Sequence, residues 1–295
     1  RQLIVAATET IRDAYEDATD AFALLEKTEV NLFKIGHRKA KSAQHVRDIT
    51  TSVIMEAERA MQYAGECIGI PSGIRALDKE TGGWRSPDLV IIAGRPAMGK
   101  TALALTIAKG SAKAGTGVAF FSLEMSKAQL VQRLVCMEGK VNGQMARNGK
   151  LTQDDFRRMC EAQPVVDEMP IYIEDTPAMS VIELRAAARR LKMKHNIGAV
   201  IVDYLQLMRG GEDQRGNRER EIAQISGGLK ALAKELEVPV IALAQLSRAV
   251  EVRGGSKRPQ MSDLRESGAI ENDADIILFP YRPEYYQITE DEEGN

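Results

Sequence analysis

The chain has 295 residues, of which 44% are hydrophobic and 28% charged, with a formal net charge of −2. These values are typical of one α/β core with a small appendage, and they exclude a protein that binds nucleic acid through overall positive charge. No run of about 18 apolar residues is present, which excludes a transmembrane helix. A membrane is not expected among the partners. Three scattered cysteines predict reduced thiols and a cytoplasmic location.

The first part of the chain predicts a small helical element. Residues 1–35 have a helical pattern with apolar positions such as Phe22 and Leu25, and a further helix is predicted over residues 46–64. A basic segment, residues 34–41, predicts an exposed linker between them. The apolar face of the element must dock either on its own core or on a neighbouring subunit. Both ends of the chain are expected to be cuts through a longer protein.

From residue 89 onward, apolar strands alternate with helices. Strands are predicted over residues 89–93, 118–121, 171–173, 199–202, 238–243 and 276–279, and helices over 102–108, 126–138, 181–194 and 219–236. The last helix carries an apolar stripe at alternating three- and four-residue spacing. This order predicts an α/β fold with a mostly parallel sheet between helices.

One segment matches a phosphate-binding loop at every fixed position of the pattern G-x-x-x-x-G-K-[ST], between a predicted strand and a predicted helix. Its residues are Gly94, Arg95, Pro96, Ala97, Met98, Gly99, Lys100 and Thr101. In such a loop the backbone N–H groups face a polyphosphate, the lysine reaches the β- and γ-phosphates, and the hydroxyl binds Mg²⁺. The sequence therefore predicts binding of ATP, or another nucleoside triphosphate, with Mg²⁺.

Three polar residues lie at or after the ends of predicted strands. Asp203 ends an apolar strand and predicts a carboxylate near Mg²⁺, the alternative being a turn or helix cap. Glu124 is the best-placed acid to orient or deprotonate water, the alternative being a cap of the helix near Ser126. Gln245 is either a sensor of the γ-phosphate or a surface amide. Because ligands lie beyond the carboxyl ends of such strands, Glu124, Asp203 and Lys100 should converge.

Two loops with basic residues could contact a polyanion. They are residues 209–220, which include Arg215, and residues 252–268, which include Arg265. The alternative is that both are solvated surface. Aromatic residues are few in these loops, so phosphate contact with little sequence preference is expected rather than base stacking.

Five sequence blocks, taken together, resemble those of the DnaB-type replicative DNA helicases. They are residues 94–101, 122–126, 203–207, 244–248 and 263–275, of which the last is the most discriminating. The resemblance covers about residues 20–290. It implies a RecA-like P-loop ATPase domain over residues 46–295, preceded in residues 1–45 by the end of an N-terminal region and a linker helix.

The resemblance also implies a hexameric ring of identical subunits that hydrolyses nucleoside triphosphate, moves 5′ to 3′ along single-stranded DNA and unwinds the duplex at the replication fork. By matching positions, Glu124 is the catalytic base, Asp203 the metal-site acid and Gln245 the sensor, and Arg133 lies near the active site. The positions that match DNA-contacting residues are Arg215, Arg265, Glu266 and Gly268.

Two departures from the family pattern modify this expectation. The N-terminal collar that receives primase is missing except for its last helix, so contacts with primase and a helicase loader are expected through regions mostly absent here. The segment that supplies an arginine finger lies beyond the last residue, which predicts nucleotide binding with slow hydrolysis. A RecA-like recombinase that forms filaments, and a RecA-like ATPase that does not act on DNA, remain alternatives.

Overall fold

The computed structural model describes residues 2–15, 24, 28, 45–62, 67–209, 218–253 and 257–286. The chain divides into two compact units, residues 1–64 and residues 65–295. The first unit contains helices α1 (Gln2–Ala14) and α2 (Val46–Gln62). The linker helix and the domain boundary after residue 45 stay predictions, because most of residues 16–44 lie outside the described part of the chain.

The second unit alternates helices and strands along most of its length. Its helices are α3 (Arg75–Thr81), α4 (Lys100–Lys113), α5 (Lys127–Glu138), α6 (Gly143–Arg147), α7 (Gln153–Asp167), α8 (Val181–His195), α9 (Arg218–Leu236), α10 (Ala249–Val252) and α11 (Gly268–Asp273), with 3₁₀ turns at Leu205–Leu207, Met261–Ser267 and Pro283–Tyr286. Its strands are β1 (Leu89–Gly94), β2 (Val118–Ser122), β3 (Ile171–Glu174), β4 (Ala199–Asp203), β5 (Val240–Gln245) and β6 (Ile276–Leu278).

The six strands form one parallel sheet in the order β3-β2-β4-β5-β1-β6. In this register Gly94 at the end of β1 lies opposite Gln245 at the end of β5. Ser122 at the end of β2 lies opposite Asp203 at the end of β4. The carboxyl ends of these four strands therefore share one edge of the sheet, as the sequence predicts.

Two buried clusters cover the two faces of the sheet. Strand residues alternate between the faces, so that Ile91 points into one cluster and Ile92 into the other. Leu105 on α4 and Leu130 on α5 pack on the face with Ile92. Helices α8 and α9 cover the opposite face, where Leu229 is fully buried. This arrangement confirms the predicted α/β fold, and the helices hold the strand ends in place.

Some elements differ from the sequence prediction. Strand β5 begins at Val240 rather than at residue 238, because Pro239 has no N–H to donate to a neighbouring strand. The strand also extends two residues beyond its predicted end, so that Gln245 is its last residue instead of a loop residue after it. Helices α3, α6, α7, α10 and α11 were not predicted, although Thr152 and Asp155 form a capping box at the start of α7.

Two features of the composition are also visible in the described ranges. All three cysteines are free thiols, as their spacing predicts. None of the helices in the described part of the chain has the length and apolar character needed to cross a lipid bilayer.

Candidate nucleotide site

The phosphate-binding loop joins β1 to α4, and its backbone leaves an anion cradle. Gly99 lies in the left-handed region, with φ of 89°, where a side chain would be strained. Helix α4 begins at the next residue, and no side chain caps it at Gly99. Because the first turn of an α-helix has N–H groups without intrahelical acceptors, these donors are available to a phosphate.

The structure brings Thr101 and Asp203 into direct contact. The Thr101 hydroxyl, in the first turn of α4, donates a hydrogen bond of 2.7 Å to Oδ2 of Asp203 at the end of β4. Asp203 is buried, and burial raises the pKa of its carboxyl despite the Thr101 bond and the nearby Lys100 charge. The N-cap position of the 3₁₀ turn after β4 is Tyr204 rather than Asp203.

Lys100 is held against the loop itself. Its ammonium donates to the carbonyl oxygens of Gly94 at 2.8 Å and Arg95 at 3.2 Å. Burial lowers the pKa of Lys100, while the charges of Asp203 and Glu124 act in the opposite direction. A bound polyphosphate would offer this ammonium stronger, charged acceptors than two carbonyls.

Glu124 and Arg133 lie close enough to Asp203 to affect it electrostatically. Glu124 raises the pKa of Asp203 and Arg133 lowers it, as smaller effects than the burial of the carboxyl. Both side chains are exposed. Helix α5 is capped instead by Ser126, in a capping box with Gln129, which removes the alternative that Glu124 is the cap. The predicted convergence of Lys100, Glu124 and Asp203 is therefore consistent with the electrostatics.

Gln245 is half-buried, and its backbone is fixed by Gln206, a residue that the sequence analysis did not single out. The Gln206 amide accepts from the Gln245 N–H at 3.1 Å and donates to the Gln245 carbonyl at 3.2 Å. Gln206 lies in the 3₁₀ turn directly after β4. The two strand ends that carry Asp203 and Gln245 are thus joined by a side-chain clamp.

Arg95 occupies a variable position of the loop pattern, yet its side chain is almost fully buried. Its Nε donates to Glu251 of α10 at 2.8 Å, and its Nη1 donates to the carbonyl of Leu246 at 2.9 Å. The Arg95 guanidinium holds the pKa of Glu251 below its usual range. The loop is therefore anchored to the segment that follows Gln245, a contact that a sequence pattern cannot reveal.

The block of residues 263–275 is held to the domain by several of its acids. Asp263 is buried and accepts from Arg253 at 3.1 Å. Asp275 accepts from the backbone N–H of Leu89 at 2.7 Å and pairs with Lys230. Gly268 begins α11 and is exposed. Of the other predicted DNA contacts, Arg215 and the side chains of Arg265 and Glu266 lie outside what the structure describes.

The residues at the site fit a bound Mg²⁺–nucleotide. Within the described ranges, no group of three His, Cys, Asp or Glu side chains could hold a metal ion. Mg²⁺ usually binds one or two protein oxygens together with phosphates and water. A hydroxyl and a buried carboxylate at 2.7 Å beside a phosphate-binding loop match that donor set.

The chain is similar in sequence to a known protein family. Residues 69–295 match the model of the DnaB-like helicase C-terminal domain. The chain is 46% identical over 288 residues to the replicative DNA helicase DnaB of Geobacillus stearothermophilus, and 45% identical over 288 residues to the replicative DNA helicase DnaC of Bacillus subtilis. Each alignment covers 97% of this chain and 63% of the relative, so the chain spans less than two thirds of their length.

Two solved structures are similar to most or all of the chain. One, described as an ATPase domain, superposes with a TM-score of 0.76 at 39% identity, covering 83% of this chain and 87% of the other. A DnaB-like replicative helicase, described together with its interactions with primase, superposes with a TM-score of 0.75 at 36% identity, covering 99% of this chain and 68% of the other.

Proposed function

The chain belongs to the family of DnaB-like helicase C-terminal domains, and we propose that it is the ATP-driven motor of a replicative DNA helicase. The motor moves 5′ to 3′ along single-stranded DNA as a ring of six identical subunits and unwinds the duplex ahead of it. The observation that carries this proposal is the contact between Thr101 and Asp203 next to the phosphate-binding loop. It unites two predicted Mg²⁺ ligands that are 102 residues apart in sequence.

ATP with Mg²⁺ is the proposed cofactor. The N–H groups at the start of α4 and the ammonium of Lys100 hold the phosphates, and Thr101 and Asp203 hold the metal ion, which neutralises charge on the phosphates when bound. Lys100 exchanges the carbonyls of Gly94 and Arg95 for phosphate oxygens. Burial raises the pKa of Asp203, and a metal ion bound beside the carboxylate would lower it again. Metal binding therefore favours the ionised carboxylate.

Glu124 is the proposed general base for the attacking water. Its side chain is exposed, and its negative charge acts on the pKa of both Asp203 and Lys100, so Glu124 lies near both residues. Arg133 supplies positive charge to the same region. Gln245 senses the γ-phosphate and transmits its presence to the segment that follows β5, because the Gln245 backbone is held between Gly94 and Gln206.

Single-stranded DNA is the proposed track, and it is contacted through its phosphates. Arg265, Glu266 and Gly268 belong to the Met261–Ser267 turn and the first residue of α11, which are fixed to the core on both sides. Arg215 would join them from the preceding loop. Contacts with primase and a loader are proposed for the assembled helicase, by analogy with the structural relative described with primase.

The test compares ATP hydrolysis with and without single-stranded DNA for the wild-type protein extended to the full length of its relatives, for Glu124→Gln and for a control, Glu168→Gln, because slow hydrolysis is expected without the segment that supplies an arginine finger. Glu168 is an exposed acid at the end of α7. DNA-stimulated hydrolysis that falls by about 10²–10⁴-fold in Glu124→Gln, with nucleotide binding retained, supports the motor and its base. A forked duplex that the wild-type protein unwinds distinguishes a helicase from other RecA-like ATPases.

Two results would refute the proposal. Open filaments on DNA in electron micrographs, without unwinding, would favour a recombinase. Failure to retain single-stranded DNA at low salt in the presence of nucleotide would favour an ATPase that does not act on DNA.

A further inference from the structure

Two ion pairs connect the phosphate-binding loop to the proposed DNA-contacting turn. The first joins Arg95 in the loop to Glu251 on α10. The second joins Arg253, at the end of α10, to Asp263 in the Met261–Ser267 turn. Glu251 and Arg253 flank Val252 at the end of α10, so this short helix end supplies one residue to each ion pair.

Each of the two ion pairs has one buried partner, unlike an ion pair on the open surface. The Arg95 side chain is 9% exposed and that of Asp263 is 6% exposed. Arg253 also donates to Gln260 at 3.2 Å and to the carbonyl of Arg258 at 2.7 Å, which fixes the guanidinium in the turn. Multiply bonded arginines such as the buried Arg95 and the partly exposed Arg253 hold two segments in one geometry.

The phosphate-binding loop also provides a way for nucleotide to act on this connection. The ammonium of Lys100 bonds the carbonyl of Arg95, the same residue whose guanidinium holds Glu251. When phosphates recruit Lys100, that carbonyl loses one of its two donors and keeps only the N–H of Met98 at 3.3 Å, so the Arg95 peptide is held less firmly. A second connection runs in parallel, since the Ser247 N–H donates to the Asp263 carbonyl at 3.2 Å.

We infer that Glu251 and Arg253 are positioning residues that couple nucleotide binding at the loop to DNA binding at the Met261–Ser267 turn. This inference rests on the proposed function, because it requires that the turn contacts DNA. Glu251 and Arg253 themselves contact neither ligand. Their effect is on the coupling between the two sites, and by reciprocity nucleotide and DNA change each other's affinity by the same factor.

The test measures that factor directly. Binding of a fluorescein-labelled oligothymidylate is followed by anisotropy at fixed salt, without nucleotide and with saturating Mg²⁺ and a non-hydrolysable ATP analogue. The wild-type protein is expected to show coupling of about tenfold. In Glu251→Gln and in Arg253→Gln the factor is expected to fall to about threefold, because the parallel bond between Ser247 and Asp263 remains. The double variant should lose no more than either single variant, since both act on one connection.

Controls separate coupling from simple loss of structure. Nucleotide affinity, measured with a fluorescent ADP, should stay within about threefold of wild type in both variants. Arg157→Gln removes an exposed ion pair on α7 with Asp154 and should leave the coupling unchanged. Arg253→Lys keeps the charge near Asp263 and should retain part of the coupling, which a folding defect at this site would not allow.

The outcomes distinguish this inference from the function on which it rests. If the wild-type protein binds no DNA, the proposed function is wrong and the inference falls with it. If the wild-type protein couples the two ligands and the Glu251 and Arg253 variants couple them equally well, the motor stands and the inference is wrong. Collapse of nucleotide affinity in Glu251→Gln would show that the Arg95 pair only supports the loop.

Discussion

Gly268 offers a way to separate what the fold requires from what DNA binding requires. Its φ is −51° and its ψ −24°, a right-handed conformation that any residue adopts. A Cβ built on it meets nothing within 4 Å. The fold therefore gives no reason for a glycine at this position, and a close approach of DNA to the backbone would.

We expect Gly268→Ala to stabilise the protein and weaken DNA binding. Alanine is favoured over glycine by about 1 kcal/mol inside a helix, and about half of that is expected at the first position of α11. For a domain of this size, about 0.5 kcal/mol raises the melting temperature by about 1–2 °C. A methyl group that displaces one backbone–phosphate hydrogen bond costs about 1–1.5 kcal/mol, or a roughly 5- to 12-fold weaker affinity for DNA.

The assays are thermal unfolding and anisotropy with labelled single-stranded DNA at one salt concentration, because phosphate contacts depend on salt. Gly143→Ala is the matched control, since Gly143 begins α6 and also has open space around it. It should stabilise the protein to a similar extent without an effect on DNA. The reasoning is refuted if Gly268→Ala lowers the melting temperature, or if it leaves DNA affinity within about twofold of wild type.

Three further predictions concern contacts within the domain. Thr101→Val removes the proposed Mg²⁺ ligand and should weaken Mg²⁺–nucleotide binding by at least about tenfold, with no change in nucleotide affinity in EDTA, as measured by fluorescence titration. Gly110→Ala places a Cβ 2.4 Å from the Ser72 carbonyl oxygen, and this steric clash with backbone should lower stability by about 1–3 kcal/mol in denaturant titrations. Burial opposes the ionisation of Glu235, but hydrogen bonds from Arg189 and a second arginine outweigh it and lower its pKa, so its stabilisation is present above the unfolded-state pKa and lost as pH falls through the folded-state pKa. Glu235→Gln should therefore cost about 2 kcal/mol at pH 7, and the difference from wild type should shrink below about pH 4.

The fold was predictable because its signals are local. Each buried strand is an apolar run of a few residues, and the phosphate-binding loop is defined within eight residues. The carboxyl ends of parallel strands meet at one edge, so the contact of Asp203 with the loop follows from topology. The start of β5 was misplaced by two residues, since the apolar run continues through Val238 and Pro239 while the hydrogen-bonded ladder does not.

The contacts of Arg95 were not predictable, because they depend on the tertiary structure. Its partner Glu251 is 156 residues away, and the pattern of the phosphate-binding loop accepts any residue at position 95. Gln206 is a similar case, since only the pairing of the strands brings it to the backbone of Gln245. Both residues could have been suspected only from their places beside Gly94 and Asp203.

The block of residues 263–275 is rich in acidic residues. A cluster of carboxylates should repel a DNA backbone, yet the resemblance assigns DNA contact to this block. The structure relieves the conflict, because Asp263 pairs with Arg253, Asp273 accepts from Ser226, and Asp275 pairs with Lys230. These acids anchor the segment on either side of Gly268. DNA contact is therefore expected only between the anchors, where the exposed backbone of Gly268 lies. Substitutions of the anchoring acids should act through stability, and at Asp263 also through the coupling to nucleotide, rather than through DNA charge.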